Sequence, residues 1–384
     1  MTGRDAIVVG AGIVGATTAW ELTLRGARVC VLDAGEVSGG TTGLGEGNVL
    51  CCDKDAGPEL ALTLPALAMY DDIEAWLGPE ARIRRKGALL VHPDAGTWAA
   101  EPARAERLRA AGVACELLGP AEVREREPQL TGAIHGALHV PGDLQCDPRA
   151  ITRALARRAA AEGAEVREHT RVAALVVEAG AVIGVRLESG EELRAGAVVV
   201  AAGPWSRELV EAAGLAFPLE PRKGQLVRLA LPAPDEQFLR HKVVDGSYLA
   251  SVTSTDTGRE LSTVVETTWD GAIVLGSSRE RCGFDPHVDE AVVAAMVERG
   301  SRLVPALAGL EVASTWVGFR PWLPDHLPAI GPSRRLPGLW LGTGHEGAGV
   351  ALGPITGRAL AAGIRGEAPP VALAAFDPDR FARA

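Results

Sequence analysis

The glycines near the N-terminus have the spacing needed to bind a dinucleotide. Gly10, Gly12 and Gly15 stand in the run GAGIVG, where glycine allows a tight turn, close approach of the backbone to a pyrophosphate, and close packing of a helix on a strand. A helix that begins there offers free N–H groups and the positive end of its dipole to phosphates. Asp33 closes the next apolar run, where a carboxylate can bind a ribose diol. These residues predict a dinucleotide site, the alternative being a glycine turn with a structural role only.

Two later strand ends also carry glycine and indicate which dinucleotide is bound. Ala202 and Gly203 close one apolar run, and LWLGTGHEGAGV, which contains Gly342, Gly344, Gly347 and Gly349, precedes a predicted helix. An NAD domain does not need the second segment, whereas a flavin does, because its pyrimidine edge becomes anionic on reduction and is stabilised by a helix N-terminus. The pattern favours FAD over NAD; the alternative is a tight turn that only packs.

Apolar periodicity predicts the elements that position these residues. Residues 5–33 predict a strand, a helix and a strand, and residues 143–203 predict a helix with Asp147 at its N-terminus followed by strands joined through hairpin turns. Continuous apolar strands suit a parallel sheet that is covered on both faces. We therefore predict an α/β protein (α+β overall) with a Rossmann-like FAD-binding domain and a mixed or antiparallel-sheet substrate domain. The cofactor domain comprises 1–85, 140–215 and 311–384, and the substrate domain comprises 86–139 and 216–310.

Composition restricts the classes of protein to which the chain can belong. Its 384 residues carry a net charge of −10, with 47% hydrophobic and 23% charged residues, as in folded soluble proteins. The negative charge disfavours nucleic acid as a partner, and no apolar run is long enough to cross a membrane. We expect a cytoplasmic protein, since no secretory signal is visible. The six cysteines lack the spacing of a zinc or iron–sulfur site, so no metal is expected and the thiols should be reduced.

Seven short segments follow one another along the chain in an order that is specific for one family, although each segment is common by itself. They are GAGIVG with Asp33, GDLQCDP, VVVAAGPWS, RKGQL, VLGSSRE, WVGFRPWLPDHLPAIG and GTGHEGAGV. In this order they resemble the FAD-dependent amino acid and amine oxidoreductases typified by D-amino acid oxidase, glycine oxidase and sarcosine oxidase. The resemblance implies an FAD domain plus a substrate domain. It also implies oxidation of an amine C–N bond to an imine by hydride transfer to flavin N5, followed by hydrolysis to an oxo acid.

Arg320 is the first candidate for binding the substrate. By resemblance, it lies where the family places an arginine that holds the substrate carboxylate. A guanidinium forms two parallel hydrogen bonds with a carboxylate, and this geometry fixes the Cα–H over the flavin. Pro321 and Pro324 should stiffen the segment. The alternative is a surface or structural arginine that pairs with Asp325.

Three further side chains are candidates for the catalytic centre. His345 lies in the turn expected beside the flavin, where it either donates to the ring, tunes substrate protonation or only packs. Tyr248 is one of only two tyrosines and resembles the tyrosine that the family's substrate domain often brings to the site, a plain sheet tyrosine being the alternative. Glu46 departs from the family pattern. A carboxylate there either attracts an amino group or limits acidic substrates, so specificity for glycine or sarcosine is not implied.

The resemblance implies non-covalent binding of FAD, because the arginine segment lacks the cysteine to which sarcosine oxidase relatives link the flavin. Asp33 stands where relatives often have Glu, and Val172 stands where the family's backbone contacts the adenine. The predicted cofactor-binding residues are Gly10, Gly12, Ile13, Val14, Gly15, Asp33, Ala34, Thr41, Thr42, Gly47, Asn48, Val172, Ala202, Gly203, Trp205, Gly344, His345, Glu346, Gly347, Gly349 and Val350.

The run GLGEGNVLCCD, residues 43–53, predicts a loop around the flat cofactor, because its glycines allow the backbone to approach closely. Cys51 and Cys52 are interpreted as small apolar residues of a short strand, NVLCCD. A metal site is disfavoured here because adjacent cysteines point in different directions and no partner ligands are nearby.

Four functions are compatible with the sequence. The first is oxidation of an α-amino acid or a secondary amine carboxylate, and the second is oxidation of a 2-hydroxy acid, whose carboxylate needs the same arginine. The third is an electron-relay flavoprotein subunit of a larger dehydrogenase complex, and the fourth is a plain NAD dehydrogenase. A small molecule is the expected substrate. A homo-oligomer and a larger complex are both open, as are the stereochemistry of the substrate and the electron acceptor.

Overall fold

The chain forms two large β-sheets, a small third sheet and helices that pack on them, in a computed structural model that describes residues 3–249 and 258–381. The outermost parts of the predicted domain ranges, 1–2 and 382–384, and residues 250–257 lie outside the described residues.

The strands are β1 (Arg4–Val9), β2 (Val29–Leu32), β3 (Asn48–Val49), β4 (Ile83–Arg84), β5 (Ala88–His92), β6 (Glu116–Leu118), β7 (Gly136–Val140), β8 (Leu144–Cys146), β9 (Glu165–Arg167), β10 (Val172–Glu178), β11 (Ala181–Leu187), β12 (Glu192–Val200), β13 (Glu220–Ala230), β14 (Lys242–Asp245), β15 (Glu260–Thr267), β16 (Ile273–Arg279), β17 (Glu311–Trp322), β18 (Ala329–Pro332) and β19 (Leu339–Thr343). The helices are α1 (Ile13–Leu24), α2 (Pro58–Leu77), α3 (Ala95–Ala110), α4 (Pro120–Arg126), α5 (Pro148–Ala161), α6 (Ser206–Ala212), α7 (Glu290–Leu303) and α8 (Gly349–Ile364).

The first sheet has a parallel centre built from distant parts of the chain. Its central order is β9-β2-β1-β12, and β19 continues it beside β12, all in parallel. Ile7 and Val8 point to opposite faces of β1 and are both fully buried, as expected for a sheet covered on both sides. The predicted strand–helix–strand unit of residues 5–33 is confirmed as β1, α1 and β2. β10 and β11 pair through the predicted hairpin turn and extend the sheet in antiparallel fashion.

α8 lies unusually close to α1 on one face of this sheet. A Cβ atom on Gly353 would come within 2.7 Å of Ile13 Cγ2, and one on Gly357 within 2.7 Å of the Thr18 backbone nitrogen. Only glycine therefore fits at these two points of α8. Since both helices begin at the same edge of the sheet, this packing brings their N-termini, one from each end of the sequence, to one site.

The second sheet is mixed, with the order β17-β13-β16-β15-β14-β5-β7-β6. β14 and β5 are parallel, whereas the other neighbouring strands are antiparallel. β17 pairs with β13 along nearly its whole length, from Glu220 opposite Trp322 to Ala230 opposite Glu311. Residues 311–322 therefore belong to the second sheet, although their position in the sequence predicted the cofactor domain. We propose that the border between the two domains follows Trp322.

The third sheet, β3-β8-β4, anchors the loop of residues 43–53. The predicted strand NVLCCD is only partly correct, because β3 ends at Val49 and the two cysteines lie in a turn. The carboxylate of Asp143 forms this turn by accepting hydrogen bonds from the backbone N–H groups of Cys51 (2.7 Å) and Cys52 (3.0 Å). Both cysteines are buried, as predicted for small apolar residues.

The six cysteines are free thiols. Within the described ranges, no group of histidine, cysteine and acidic residues has a metal-binding arrangement. Of the helices formed by residues 3–249 and 258–381, none combines the length and the apolar character needed to span a bilayer.

Candidate active site

The turn between β1 and α1 has the shape needed to receive a phosphate. Gly10 has a φ of 103°, and a Cβ atom on it would lie 2.5 Å from Ala201 O. A Cβ atom on Gly15 would lie 1.9 Å from Gly10 O. The first turn of α1 contains no acidic residue, and its N-cap residue Gly12 has no side chain to cover the N–H groups, so its positive end can face an anion. The residues present fit the pyrophosphate of a dinucleotide.

Asp33 is held in place by backbone N–H groups. Its Oδ2 accepts a hydrogen bond from Ala11 N (2.6 Å) and its Oδ1 from Gly35 N (2.8 Å). Thr170 N donates to Asp33 O over 2.6 Å, which places the start of β10 at Val172 close to this carboxylate. The structure thus brings together the two residues predicted at the adenosine end of the cofactor.

The loop after β2 connects the two large sheets. Its threonines lie in a short 3-10 helix over Thr41–Leu44. Thr42 Oγ1 accepts a hydrogen bond from Ile13 N (3.2 Å) at the start of α1, and Thr41 Oγ1 donates to Phe319 O (2.6 Å) in β17. Gly203 has a φ of 54° and lies beside Thr41, since a Cβ atom on it would be 3.4 Å from Thr41 Oγ1. The loop is therefore fixed at the start of α1, where the pyrophosphate is predicted to bind, and at β17 of the second sheet.

A cavity with about 670 Å³ of empty space, part of it open to solvent, lies between this loop, the second sheet and the first turn of α8. It brings together the predicted residues Arg320, Tyr248 and Glu46 with predicted cofactor-binding residues of the loop and of α8. The described lining residues are Thr41, Thr42, Leu44, Gly45, Glu46, Asn48, Gly224, Leu226, Tyr248, Ser277, Gly318, Phe319, Arg320, Glu346, Gly347, Gly349 and Val350.

Arg320 lies in the cavity wall, on β17. Its guanidinium donates to Ser278 O (3.0 Å) and to Ser277 Oγ (2.6 Å) and covers Gly224, where a Cβ atom would lie 2.2 Å from Nη1. Burial and the charge of Arg279 lower the pKa of Arg320 to about 10, so it is a cation at neutral pH.

The alternative of a structural pair between Arg320 and Asp325 does not hold. Asp325 instead forms an ion pair with Arg380 over 2.7 Å. Among the described residues, no carboxylate lies within salt-bridge distance of Arg320. Its positive charge is thus not neutralised by an ion pair and acts on the cavity.

Tyr248 lies beyond β14, and its side chain is buried at the cavity rather than on a sheet face. The guanidinium of Arg279 lies over its ring, 4.5 Å from the centroid, and Arg279 Nη1 donates to Ser262 Oγ over 2.8 Å. Burial raises the pKa of the Tyr248 hydroxyl. The hydroxyl is therefore a neutral hydrogen-bond donor at ordinary pH.

A buried charge cluster behind the cavity was not predicted from the sequence. Arg222 Nη1 donates to Glu346 Oε1 over 2.5 Å, and Arg279 Nε lies 3.9 Å from the same oxygen. Burial alone raises the pKa of Glu346, but the hydrogen bond from His326 and the charges of Arg279 and Arg222 outweigh it and lower the pKa to about 2. Glu346 also has a φ of 47°, a costly conformation for a residue with a side chain. The ion pairs hold this turn beside Gly347.

Glu346→Gln should destabilise the holoenzyme because it removes the charge of the carboxylate that the buried Arg222 and Arg279 share, while Arg222 keeps its ion pair with Glu260. Loss of one partner of a buried ion pair costs about 3–5 kcal/mol. The folded-state pKa lies below the unfolded value, so the stabilisation is present above about pH 4.5 and is lost as the pH falls towards about 2. Urea unfolding at several pH values should show the difference between wild type and variant shrinking below about pH 4.5.

Glu298→Gln is the matched control for this experiment, because Glu298 forms an exposed pair with Arg302 within α7. It should change the free energy of unfolding by no more than about 0.5 kcal/mol. An equally small effect of Glu346→Gln would contradict the structural role of the buried cluster.

His345, for which a catalytic role and a packing role were both open, is not among the described residues that line the cavity. It is buried, and its Nε2 lies 2.9 Å from Thr356 Oγ1 in α8. Burial lowers the pKa of His345 to about 3, so the ring is neutral at ordinary pH. The packing alternative from the sequence analysis fits these contacts.

His345→Gln should therefore leave the shape of the pH profile of kcat/KM unchanged. The amide can keep a hydrogen bond to Thr356, and no titrating group is lost near neutral pH. Steady-state rates from about pH 6 to 10 measure this. A loss of about 10²-fold or more, the usual effect of removing a general acid or base, with a missing limb in the profile, would contradict it.

The chain is similar to known flavoenzymes of one family. A model of the DAO family, described as FAD dependent oxidoreductase, matches residues 5–362. Glycine oxidase of Pseudomonas aeruginosa is 30% identical over 97% of this chain and 98% of its own length. The crystal structure of glycine oxidase from Geobacillus kaustophilus has a TM-score of 0.88 at 25% identity and covers 100% of both chains. The bifunctional protein ThiO/ThiG of Nostoc sp. is 29% identical over 93% of this chain, which spans 52% of that protein.

The match to an FAD-dependent family identifies the cofactor. It is FAD, as predicted, and the alternative of an NAD dehydrogenase is wrong.

Proposed function

We propose that this chain, which belongs to the FAD-dependent oxidoreductase family, oxidises the C–N bond of an α-amino acid or a secondary amine carboxylate. The product is an imine, which water hydrolyses to an oxo acid. The observation that carries the proposal is Arg320, a half-buried cation in the wall of the cavity that lies next to the predicted flavin-binding turn. A carboxylate is the natural partner of such a guanidinium.

The residues of the cavity would act mainly by binding and orientation. Arg320 would form paired hydrogen bonds with the substrate carboxylate, and the Tyr248 hydroxyl would donate a hydrogen bond to the same group. Both side chains are fixed by their neighbours, Arg320 by two serines of β16 and Tyr248 by Arg279. A substrate held in this way has a single orientation in the cavity.

Different segments of the chain would contact the different parts of FAD. The first turn of α1 would bind the pyrophosphate and Asp33 the ribose, while the loop with Thr41 and Thr42 and the first turn of α8 would hold the flavin. The bound flavin supplies the hydride acceptor. α8 has no acidic residue in its first turn, so its positive end would stabilise negative charge on the reduced ring.

An anaerobic flavin-reduction screen tests the proposal. D- and L-amino acids, N-methyl amino acids and 2-hydroxy acids are mixed with the holoenzyme, and loss of the oxidised flavin absorbance is recorded. We expect bleaching by at least one amino or N-methyl amino acid and none by hydroxy acids. Bleaching by hydroxy acids alone would identify the alternative reaction, and no bleaching by any compound would favour an electron-relay subunit.

A further inference from the structure

Glu46 presents a carboxylate to the same cavity as Arg320. Its Oε2 accepts a hydrogen bond from Asn48 Nδ2 over 3.1 Å. Its Oε1 is covered, beside Gly276 of β16, and has no hydrogen-bond partner among the described residues. An uncompensated carboxylate oxygen in such a place costs free energy unless a donor or a cation reaches it.

The charged groups around Glu46 leave this carboxylate without an ion pair. Lys242 of β14 is its most strongly interacting cation, but Lys242 already forms a buried ion pair with Glu266 of β15. Glu266 itself, Arg320 of β17 and the Tyr248 hydroxyl are the other ionisable groups that act on it. Burial and the negative charge of Glu266 raise the pKa of Glu46, and the charges of Lys242 and Arg320 and the hydrogen bond from Asn48 partly offset this effect. No ion pair within 4.0 Å joins Glu46 to any residue in the described ranges.

We propose that Glu46 recognises the amino group of the substrate and accepts one proton from it. This inference rests on the proposed function and narrows its substrate class to amino acids and N-alkyl amino acids that arrive as zwitterions. Arg320 would bind the carboxylate of the zwitterion and Glu46 its ammonium group, from two walls of one cavity. A 2-hydroxy acid has no cation for Glu46 and would leave its carboxylate unpaired.

The proton transfer is a simple acid–base step. An N–H bond of the substrate ammonium breaks, an O–H bond forms on Glu46, and the electron pair of the broken bond stays on nitrogen. The neutral amine can then support removal of hydride from the adjacent carbon, whereas an ammonium group cannot. The step needs no further reactant, and it replaces two opposite charges in a buried cavity by two neutral groups.

Glu46→Gln tests this step through the pH dependence of flavin reduction, measured anaerobically by rapid mixing with an amino acid that reduces the wild type. The wild type should reduce its flavin with an apparent pKa below that of the free ammonium group. In the variant, the apparent pKa should rise to that of the free ammonium group. The rate should fall by about 10²-fold near pH 7 and approach the wild-type rate near pH 10.

Glu46→Asp and a binding measurement separate this role from a structural one. Glu46→Asp keeps a carboxylate, so the low apparent pKa should be retained with an intermediate rate. An aliphatic carboxylate without an amine, titrated by flavin difference spectra, should bind Glu46→Gln at least as tightly as wild type, because a negative charge has been removed.

Two outcomes would overturn the inference about Glu46. One is an unchanged pH profile in Glu46→Gln, and the other is an equal loss of rate at every pH combined with weaker binding of the amine-free carboxylate. Reduction of the wild type by no amino acid is a different result, because it contradicts the proposed function itself.

Discussion

Arg320→Ala is expected to lower kcat/KM for an amino acid substrate by about 10²–10³-fold while FAD stays bound. The substrate carboxylate would lose a half-buried, charge-assisted partner, a change that costs about 2–5 kcal/mol. The loss should appear mainly in KM, since the carboxylate is bound in the ground state as well as in the transition state. Steady-state kinetics together with the flavin absorbance of the purified variant measure both parts of this prediction.

Arg320→Lys and Arg228→Ala are the controls for this prediction. Lysine keeps the charge but not the paired hydrogen bonds, so an intermediate loss is expected. Arg228 lies on β13 of the same sheet and pairs with Asp270 near the surface, so its removal should leave kcat/KM unchanged. Unaltered kinetics in Arg320→Ala would rule out Arg320 as the carboxylate-binding residue.

Gly15→Ala is expected to abolish tight binding of FAD. A methyl group at this position would lie 1.9 Å from Gly10 O, and the obstacle is backbone, which cannot rotate away. Either the turn around Gly10 or the start of α1 must move, and both contact the pyrophosphate in the proposed site. The apoprotein should therefore be purified with little flavin, and calorimetric titration with FAD should give a Kd raised by about 10²-fold, equivalent to about 3 kcal/mol.

Gly142→Ala is the matched control, because a Cβ atom there meets nothing within 4 Å. It should keep its full content of FAD. A flavin content in Gly15→Ala equal to that of the control would show that the turn is not the cofactor site.

The cofactor half of the molecule was predictable because its signals are local. The glycines of GAGIVG, the two apolar runs around α1 and the cap at Asp147 each specify their own neighbourhood. The structure confirms the cap, since Asp147 Oδ1 accepts hydrogen bonds from Arg149 N and Ala150 N, each 3.0 Å long.

The substrate half was less predictable because its key contacts join distant strands. Arg222 and Arg279 occur in two of the segments that carry the family resemblance, but nothing local shows that both meet Glu346. A signal was available for one of them, since Arg279 ends an otherwise uncharged strand, β16, whose residues are all buried. Whether β17 belongs to the cofactor domain or to the substrate domain also depends on its pairing with β13. The sequence of β17 alone does not specify this pairing.

The loop of residues 43–53 combines a prediction that holds with one that does not. Cys51 and Cys52 are buried, as expected for small apolar residues, and burial raises the pKa of the Cys52 thiol. The turn at these cysteines, however, depends on Asp143, a residue far away in sequence. No local pattern could have distinguished this turn from a strand.

The central claim is that the cavity binds an amino carboxylate, and a set of three matched compounds tests it most directly. They are an amino acid that reduces the flavin, the 2-hydroxy acid with the same side chain, and the amine that lacks only the carboxylate. Rapid anaerobic mixing of each with the wild-type holoenzyme gives the rate of flavin reduction. We predict fast reduction by the amino acid, and rates lower by at least about 10²-fold for the other two. Equal rates with the amine that lacks the carboxylate would contradict the account.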